Sequence, residues 1–253
     1  MASDGVPQYV YGVVPADGRG RARAPGIGGE GVRVIRAGRV GALASPVPDA
    51  DGELPAGREE LRAHAQVLEA ALAEFAAVLP MRFGIVMPSD AAVRDELLGP
   101  HSAQLEAQLD ELAGKFEMGL KALYDEDAIL REIVTENREA RALRAAIAAA
   151  PADATYPQRI RLGELIAAGL DERRLVDERA IAERLERFAI AVDLRPPIHE
   201  RMALNAAFLL DRERLGRFDE ELELLAAESH PRIGFRLTGP LPPHSFVELS
   251  VER

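Results

Sequence analysis

"KFEMGLKALY", Lys115–Tyr124, decides how this chain divides. Phe116, Met118 and Leu120 alternate with Glu117, Gly119 and Lys121, the period of two that sends one set to each face of a strand. The residues before this strand make one complete pattern, and those after it start another. Upstream, "YVYGVV" (Tyr9–Val14) reads as a strand and Pro15–Gly31 as a loop rich in Gly, Arg and Pro. "VRVIRAGRVGALAS" alternates around Ala37-Gly38, a hairpin signal. A helix is predicted over Arg58–Ala77, where Leu61, Ala65, Leu68, Leu72 and Phe75 recur at helical spacing. "VLPMRFGIVM" reads as one strand entered through Pro80. Helices over Asp90–Leu98 and Ala103–Leu112 follow, separated by a break at Pro100. The order of this half is β-β-β-α-β-α.

Downstream, a helix is predicted over Asp127–Ala149, a loop at "PADATYP", and a second long helix over Gln158–Arg187 with an interruption near Gly169. A short proline-bounded loop between two long helices makes them an antiparallel pair. "FAIAVDL" (Phe188–Leu194) and "MALNAAFLL" (Met202–Leu210) read as strands linked through Pro196-Pro197. A helix over Arg212–Ala227 and a strand over Arg232–Leu237 complete the order β-α-α-β-β-α-β. That is a split β-α-β plan whose first crossover has grown into a helical hairpin. The expected class is α+β with two domains, 1–113 and 114–253, and one face of the second sheet left free of helices.

Composition narrows the function classes. The net charge is −11, and the nearest thing to a basic cluster is the short "GRGRARAPG", so a phosphate-tracking surface is not expected and nucleic acid is not among the expected partners. No apolar run approaches the roughly 18–20 residues of a membrane helix, and "MASDGVPQYV" lacks a signal-peptide pattern, so a cytoplasmic protein without a membrane partner is expected. The chain has no cysteine, which excludes disulfides, thiol catalysis and cysteine-ligated zinc. Gly26, Gly28 and Gly31 fit G-x-G-x-x-G, but a strand follows where a phosphate site needs a helix N-terminus. "HERMA" (His199–Ala203) lacks the second histidine of a zinc-protease helix. There is no G-x-S-x-G elbow and no Walker-type GK[ST]. The sequence therefore predicts no catalytic residue, no cofactor and no metal.

Four strings remain that this chemistry does not explain: "YVYGVV", "LPMRFGIV" (Leu79–Val86), "FEMGLKALYDED" (Phe116–Asp127) and "LTGPLPPHSFVEL" near the end. In that order they resemble the gas vesicle protein F/L family (GvpF/GvpL). The Gly239-Pro240-x-Pro242-Pro243-x-Ser245-Phe246 run is the most specific of them. Arg82 and Phe83 within Pro-x-Arg-Phe-Gly, and the Glu117–Lys121 spacing, support it. The family often carries Trp and Tyr where Leu241 and His244 stand here. The resemblance implies an N-terminal ferredoxin-like α/β domain, an α+β domain with long paired helices, and an accessory or minor structural role in gas vesicles. Its implied partners are the hydrophobic gas vesicle shell protein and other gas vesicle accessory proteins.

Two surfaces are expected to matter. The rigid turn at Gly239, Pro240, Pro242 and Pro243 is expected to turn the chain after the Arg232–Leu237 strand. It would send "SFVELSV", with Phe246, Val247, Leu249 and Val251, back against the first domain as a clasp. On the second sheet, Glu117 and Lys121 share one strand's face and Arg232 and Arg236 another's, an expected mixed-charge platform with Asn205. The alternative reading is a small-ligand or nucleotide-binding regulator, or an enzyme, with a pocket near Arg82 or the Gly26–Gly31 loop.

Overall fold

The computed structural model describes residues 5–17, 23–47 and 57–247. The chain forms two compact units, one within Met1–Glu117 and Gly239–Arg253, the other Met118–Thr238. The first unit contains β1 (Gln8–Pro15), β2 (Arg33–Ala37), β3 (Val40–Pro46), α1 (Arg58–Glu74), β4 (Leu79–Pro80), β5 (Val86–Met87), α2 (Asp90–Ala92), a π-helical turn (Val93–Leu98) and α3 (Gly99–Glu111). β6 (Lys115–Tyr124) leads into the second, with α4 (Glu126–Glu136), α5 (Arg138–Ala149), α6 (Tyr156–Leu185), β7 (Ala191–Leu194), β8 (Met202–Asp211), α7 (Arg212–Ser229) and β9 (Ile233–Leu241).

Both sheets follow the split β-α-β order. The first runs β2-β3-β1-β4, with β5 also paired to β1; the second runs β7-β8-β6-β9. Numbered by appearance, each is second-third-first-fourth, the ferredoxin-like arrangement. The units differ in the first crossover, which among the described residues carries only a 3₁₀ turn (Ile27–Gly29) in one and α4, α5 and α6 in the other. β1 lies in the middle of its sheet and is buried from Gln8 to Val14, which is why "YVYGVV" is nearly all apolar. Val67, Leu68 and Ala71 of α1 pack with Tyr9, Tyr11 and Leu43.

Several expectations need correction. "VLPMRFGIVM" is not one strand. Pro80 pairs with Gly12 and Val86 with Tyr9, so five residues lie opposite two and the chain loops out through Arg82-Phe83-Gly84. Gly84 takes φ +95°, a conformation costly for other residues. Pro100 does not break the helix. Gly99 N–H bonds to Arg94 C=O, five residues back, and this wider turn accepts a proline missing its own donor.

In the second unit, the helix expected over Asp127–Ala149 is two. Asn137 leaves helical geometry, and its side chain accepts from Ala140 N–H to cap α5. Conversely α6 is unbroken across Gly169, because that glycine serves packing rather than a break. A Cβ there would lie 2.8 Å from Ile133 Cγ2, so α4 and α6 approach too closely for a side chain. Phe188 ends a 3₁₀ turn, and β7 starts only at Ala191. β9 runs on through Gly239 and Pro240 to Leu241; it is a sheet edge, where proline is tolerated. The corner comes later, at Pro242-Pro243, and Ser245 and Phe246 enter a 3₁₀ turn (His244–Phe246) instead of a strand. Leu249 and Val251 lie outside the described residues.

Candidate functional site

Two of the strings that carry the resemblance, Tyr9–Val14 and Leu79–Val86, meet in the first unit. Phe83, from the loop between β4 and β5, has its ring centroid 5.9 Å from Tyr9 of β1 and 5.8 Å from His64 of α1. Tyr9 and Tyr11 are edge-to-face at 4.8 Å. Gly84 N–H donates to Tyr9 Oη at 3.1 Å, so the Tyr9 hydroxyl directs its own hydrogen to His64 Nδ1, 2.9 Å away. Glu117, near the start of β6, is only 4% exposed, and its carboxylate accepts from Ser245 N–H at 2.8 Å. Pro242 and Pro243 are buried beside it in sequence, while Gly239, Pro240, Arg82 and His244 are exposed. Glu117 thus anchors the proline turn and is not a surface charge.

Burial lowers the His64 pKa to about 4, helped by the nearby positive potential of His244 and opposed by a bond to the Met81 carbonyl. The ring is therefore neutral with hydrogen on Nε2, the state its two neighbours require. Tyr9 is pushed up to about 12, by burial first. The loop carrying Gly26, Gly28 and Gly31 also turns inward. Ile27 N–H donates to Tyr11 Oη at 2.8 Å, and a Cβ on Gly26 would sit 2.4 Å from that oxygen. Gly26 lets the loop close on a tyrosine, and the strand β2 follows Gly31 where a phosphate cradle needs a helix N-terminus.

Arg232 belongs to a brace inside the second unit. Its guanidinium bonds Asp177 of α6 at 2.7 and 2.9 Å and Glu132 of α4 at 2.6 Å, and lies 5.4 Å from the Tyr124 ring centroid. Tyr124 Oη donates to Asp177 at 2.6 Å, and Arg173 pairs with Glu132 and Glu136. Burial disfavours the Arg232 charge, but the bonds to Asp177 and Glu132 hold its pKa above the ordinary value. Asn205, expected on the platform, is 9% exposed and donates to Pro196 C=O at 3.0 Å. The mixed-charge platform is therefore not assembled: Glu117, Arg232 and Asn205 are each committed elsewhere.

What remains on the outer side of β6 and β9 is simpler. Asp125 N–H bonds to Arg232 C=O at 2.9 Å, and stepping four residues along each antiparallel strand sets Lys121 opposite Arg236. Both side chains are exposed, and neither has an ion-pair partner among the described residues. Gly119, Gly234 and Thr238 surround them with little bulk. Two like charges directly across strands destabilise the sheet locally. Sequence reasoning missed Tyr9, Tyr11, His64 and Asp177 as organising residues. His64 was readable, since it stands four before Leu68 on the predicted apolar stripe of α1.

Two recesses lie elsewhere than at Arg82 or the Gly26–Gly31 loop. One of about 360 Å³ lies by Asp17, Arg39 and Glu106, the other of about 480 Å³ by Ile129, Leu170 and Arg201. Among the described residues no three His, Asp or Glu side chains are placed to hold a metal. Among them, too, no helix is long and apolar enough to cross a membrane.

Comparison with known proteins gives a consistent result. The family profile described as "Gas vesicle synthesis protein GvpL/GvpF" matches residues 7–248. Gas vesicle protein F of Streptomyces sp. (strain CB03234) is 38% identical over 241 residues, 95% of this chain and 99% of the relative. Gas vesicle protein F of Dolichospermum flosaquae is 29% identical over 77% of this chain and 79% of its own length. The crystal structure of GvpF from Anabaena sp. PCC7120 superimposes with a TM-score of 0.80 at 26% identity, covering 98% of each chain.

Proposed function

This chain belongs to the GvpL/GvpF family of gas vesicle synthesis proteins, and from that premise we propose that it acts in vesicle assembly by binding the hydrophobic shell protein or other assembly proteins, without catalysis. The observation that carries this reading is the family match along nearly the whole chain, with a Streptomyces relative covered end to end. The geometry supports it. His64, Tyr9 and Tyr124 owe their shifts first to burial, and each is held in place by internal hydrogen bonds, so none stands ready for proton transfer.

The contact face proposed here is the outer side of β6 and β9, with Lys121 and Arg236 at its centre. Glu117, Pro242 and Pro243 belong to the buried anchor of the proline turn, the half-buried Phe246 follows it, and Arg82 and Phe83 shape the loop of the first unit. An open sheet face with two unpaired cations recognises an acidic, extended or flat protein surface. The test is co-purification of the full chain with the shell protein, comparing wild type with Lys121→Glu/Arg236→Glu. Loss of at least about tenfold of the captured shell protein is expected, as two like-charge contacts would replace two favourable ones. Wild-type capture by the double variant would remove this face from the account.

A further inference from the structure

The far end of the helical hairpin has a chemistry of its own. α4 and α5 run antiparallel to α6, as the Arg161–Glu139 pair and the Arg173–Glu132 pair show. Leu143 and Ile147 of α5 are half-buried, while Ala142, Ala145, Ala146 and Ala149, at i, i+3, i+4 and i+7, are exposed. Tyr156 and Ile160, opening α6, are 68% and 49% exposed. Of the fourteen residues from Ala145 to Gln158 only Asp153 is charged. The uncharged runs of β1 and β8, by contrast, are buried strands.

Behind this apolar end stands a basic collar. Residues 138–161 hold five arginines against two acids, net +3, in a chain whose net charge is −11. Arg161 is paired with Glu139 and Glu164, but Arg141, Arg144 and Arg159 are exposed and have no ion-pair partner among the described residues.

We propose that this end of the α5–α6 hairpin is a second docking surface, and that its occupant is an amphipathic helix of a protein partner whose apolar face is flanked by acidic side chains. Three features select that occupant. The alanine row lets another helix approach to the 8–10 Å of close helix packing. Tyr156 and Ile160 supply anchors of the kind that dominate protein contacts. The unpaired arginines complement acids beside the partner's apolar stripe. A second copy of this chain would set the same arginine collars against each other. A lipid surface calls for a deeper apolar face than alanine provides. The inference rests on the reading that the protein works by binding, and it adds where and to what chemistry.

The experiment uses the full chain and two labelled synthetic helices, identical in their Leu/Ala face and flanked by Glu in one and by Lys in the other. Fluorescence anisotropy at low salt is expected to show saturable binding of the Glu helix and none of the Lys helix. Arg141→Glu/Arg144→Glu/Arg159→Glu should weaken it by about tenfold or more, and Tyr156→Ser/Ile160→Ser similarly. All five positions are exposed, and circular dichroism checks that the variants fold. Lys121→Glu/Arg236→Glu should leave this binding unchanged, so loss of shell-protein capture by that variant alone separates the two faces. Equal binding of the Lys helix, undiminished binding by both hairpin variants, or no binding of the Glu helix overturns the proposal. So does sedimentation of wild type, but not of the arginine variant, with phosphatidylserine vesicles, or a dimer that the arginine variant loses.

Discussion

Lowering the pH from 7 to 5 should weaken the first unit through His64. Its neutral imidazole accepts from Tyr9 and donates to Met81, and at 7% exposure no water is at hand to solvate a charge. The folded pKa of about 4 is below the ordinary 6.5, so the unfolded chain binds more protons between these values. The stabilisation is therefore complete above about pH 6.5 and is lost as pH falls toward 4. With those two values, linkage gives a loss of about 2 kcal/mol between pH 7 and 5. Urea unfolding followed by tyrosine fluorescence, at both pH values, measures it. Carboxylates titrate as well, so the comparison is with His64→Asn, whose amide oxygen still accepts from Tyr9 but does not titrate. The wild type should lose about 2 kcal/mol more than the variant over this interval. Parallel pH profiles would refute the buried neutral histidine.

Three further outcomes follow from the packing. Gly169→Ala should lower Tm despite alanine's better helix propensity, because the new Cβ meets Ile133 Cγ2 at 2.8 Å; a net loss of about 1–2 kcal/mol is expected, and a rise in Tm would contradict the close approach of α4 and α6. Asp177→Asn removes the charge that Arg232 and Tyr124 share and should destabilise the second unit by about 2–3 kcal/mol, with little salt dependence; a change below about 0.5 kcal/mol would mean the brace is dispensable. Glu117→Ala frees Ser245 N–H, so amide exchange at Ser245 should quicken at least about tenfold while that of β1 is unchanged, and equal protection would show that the turn holds without it.

Much of the fold was readable because its signals are local. "KFEMGLKALY" alternates and is β6 from end to end, and "VRVIRAGRVGALAS" turns at Gly38, which has φ +61°. The errors arose where a residue has two uses that only tertiary structure separates. Pro100 looked like a break but rides on a π turn, and Gly169 looked like a break but marks a crossing. Asn137 looked like helix interior but is a cap. The candidate surface suffered more, since period-two patterning assigns a face but cannot say whether it is covered. Glu117 and Lys121 do share a side of β6, yet one is buried under the proline turn and the other is bare. Arg232 and Arg236 likewise part company because the acids that claim Arg232 come from Glu132 and Asp177, 100 and 55 residues away.

The measurement that bears most directly on function is capture of the shell protein by the purified full chain, with its dissociation constant read by titration. A saturable complex that forms without any added cofactor, and that Lys121→Glu/Arg236→Glu weakens, is the predicted result. Failure of the wild-type chain to hold the shell protein or any other gas vesicle protein would contradict it.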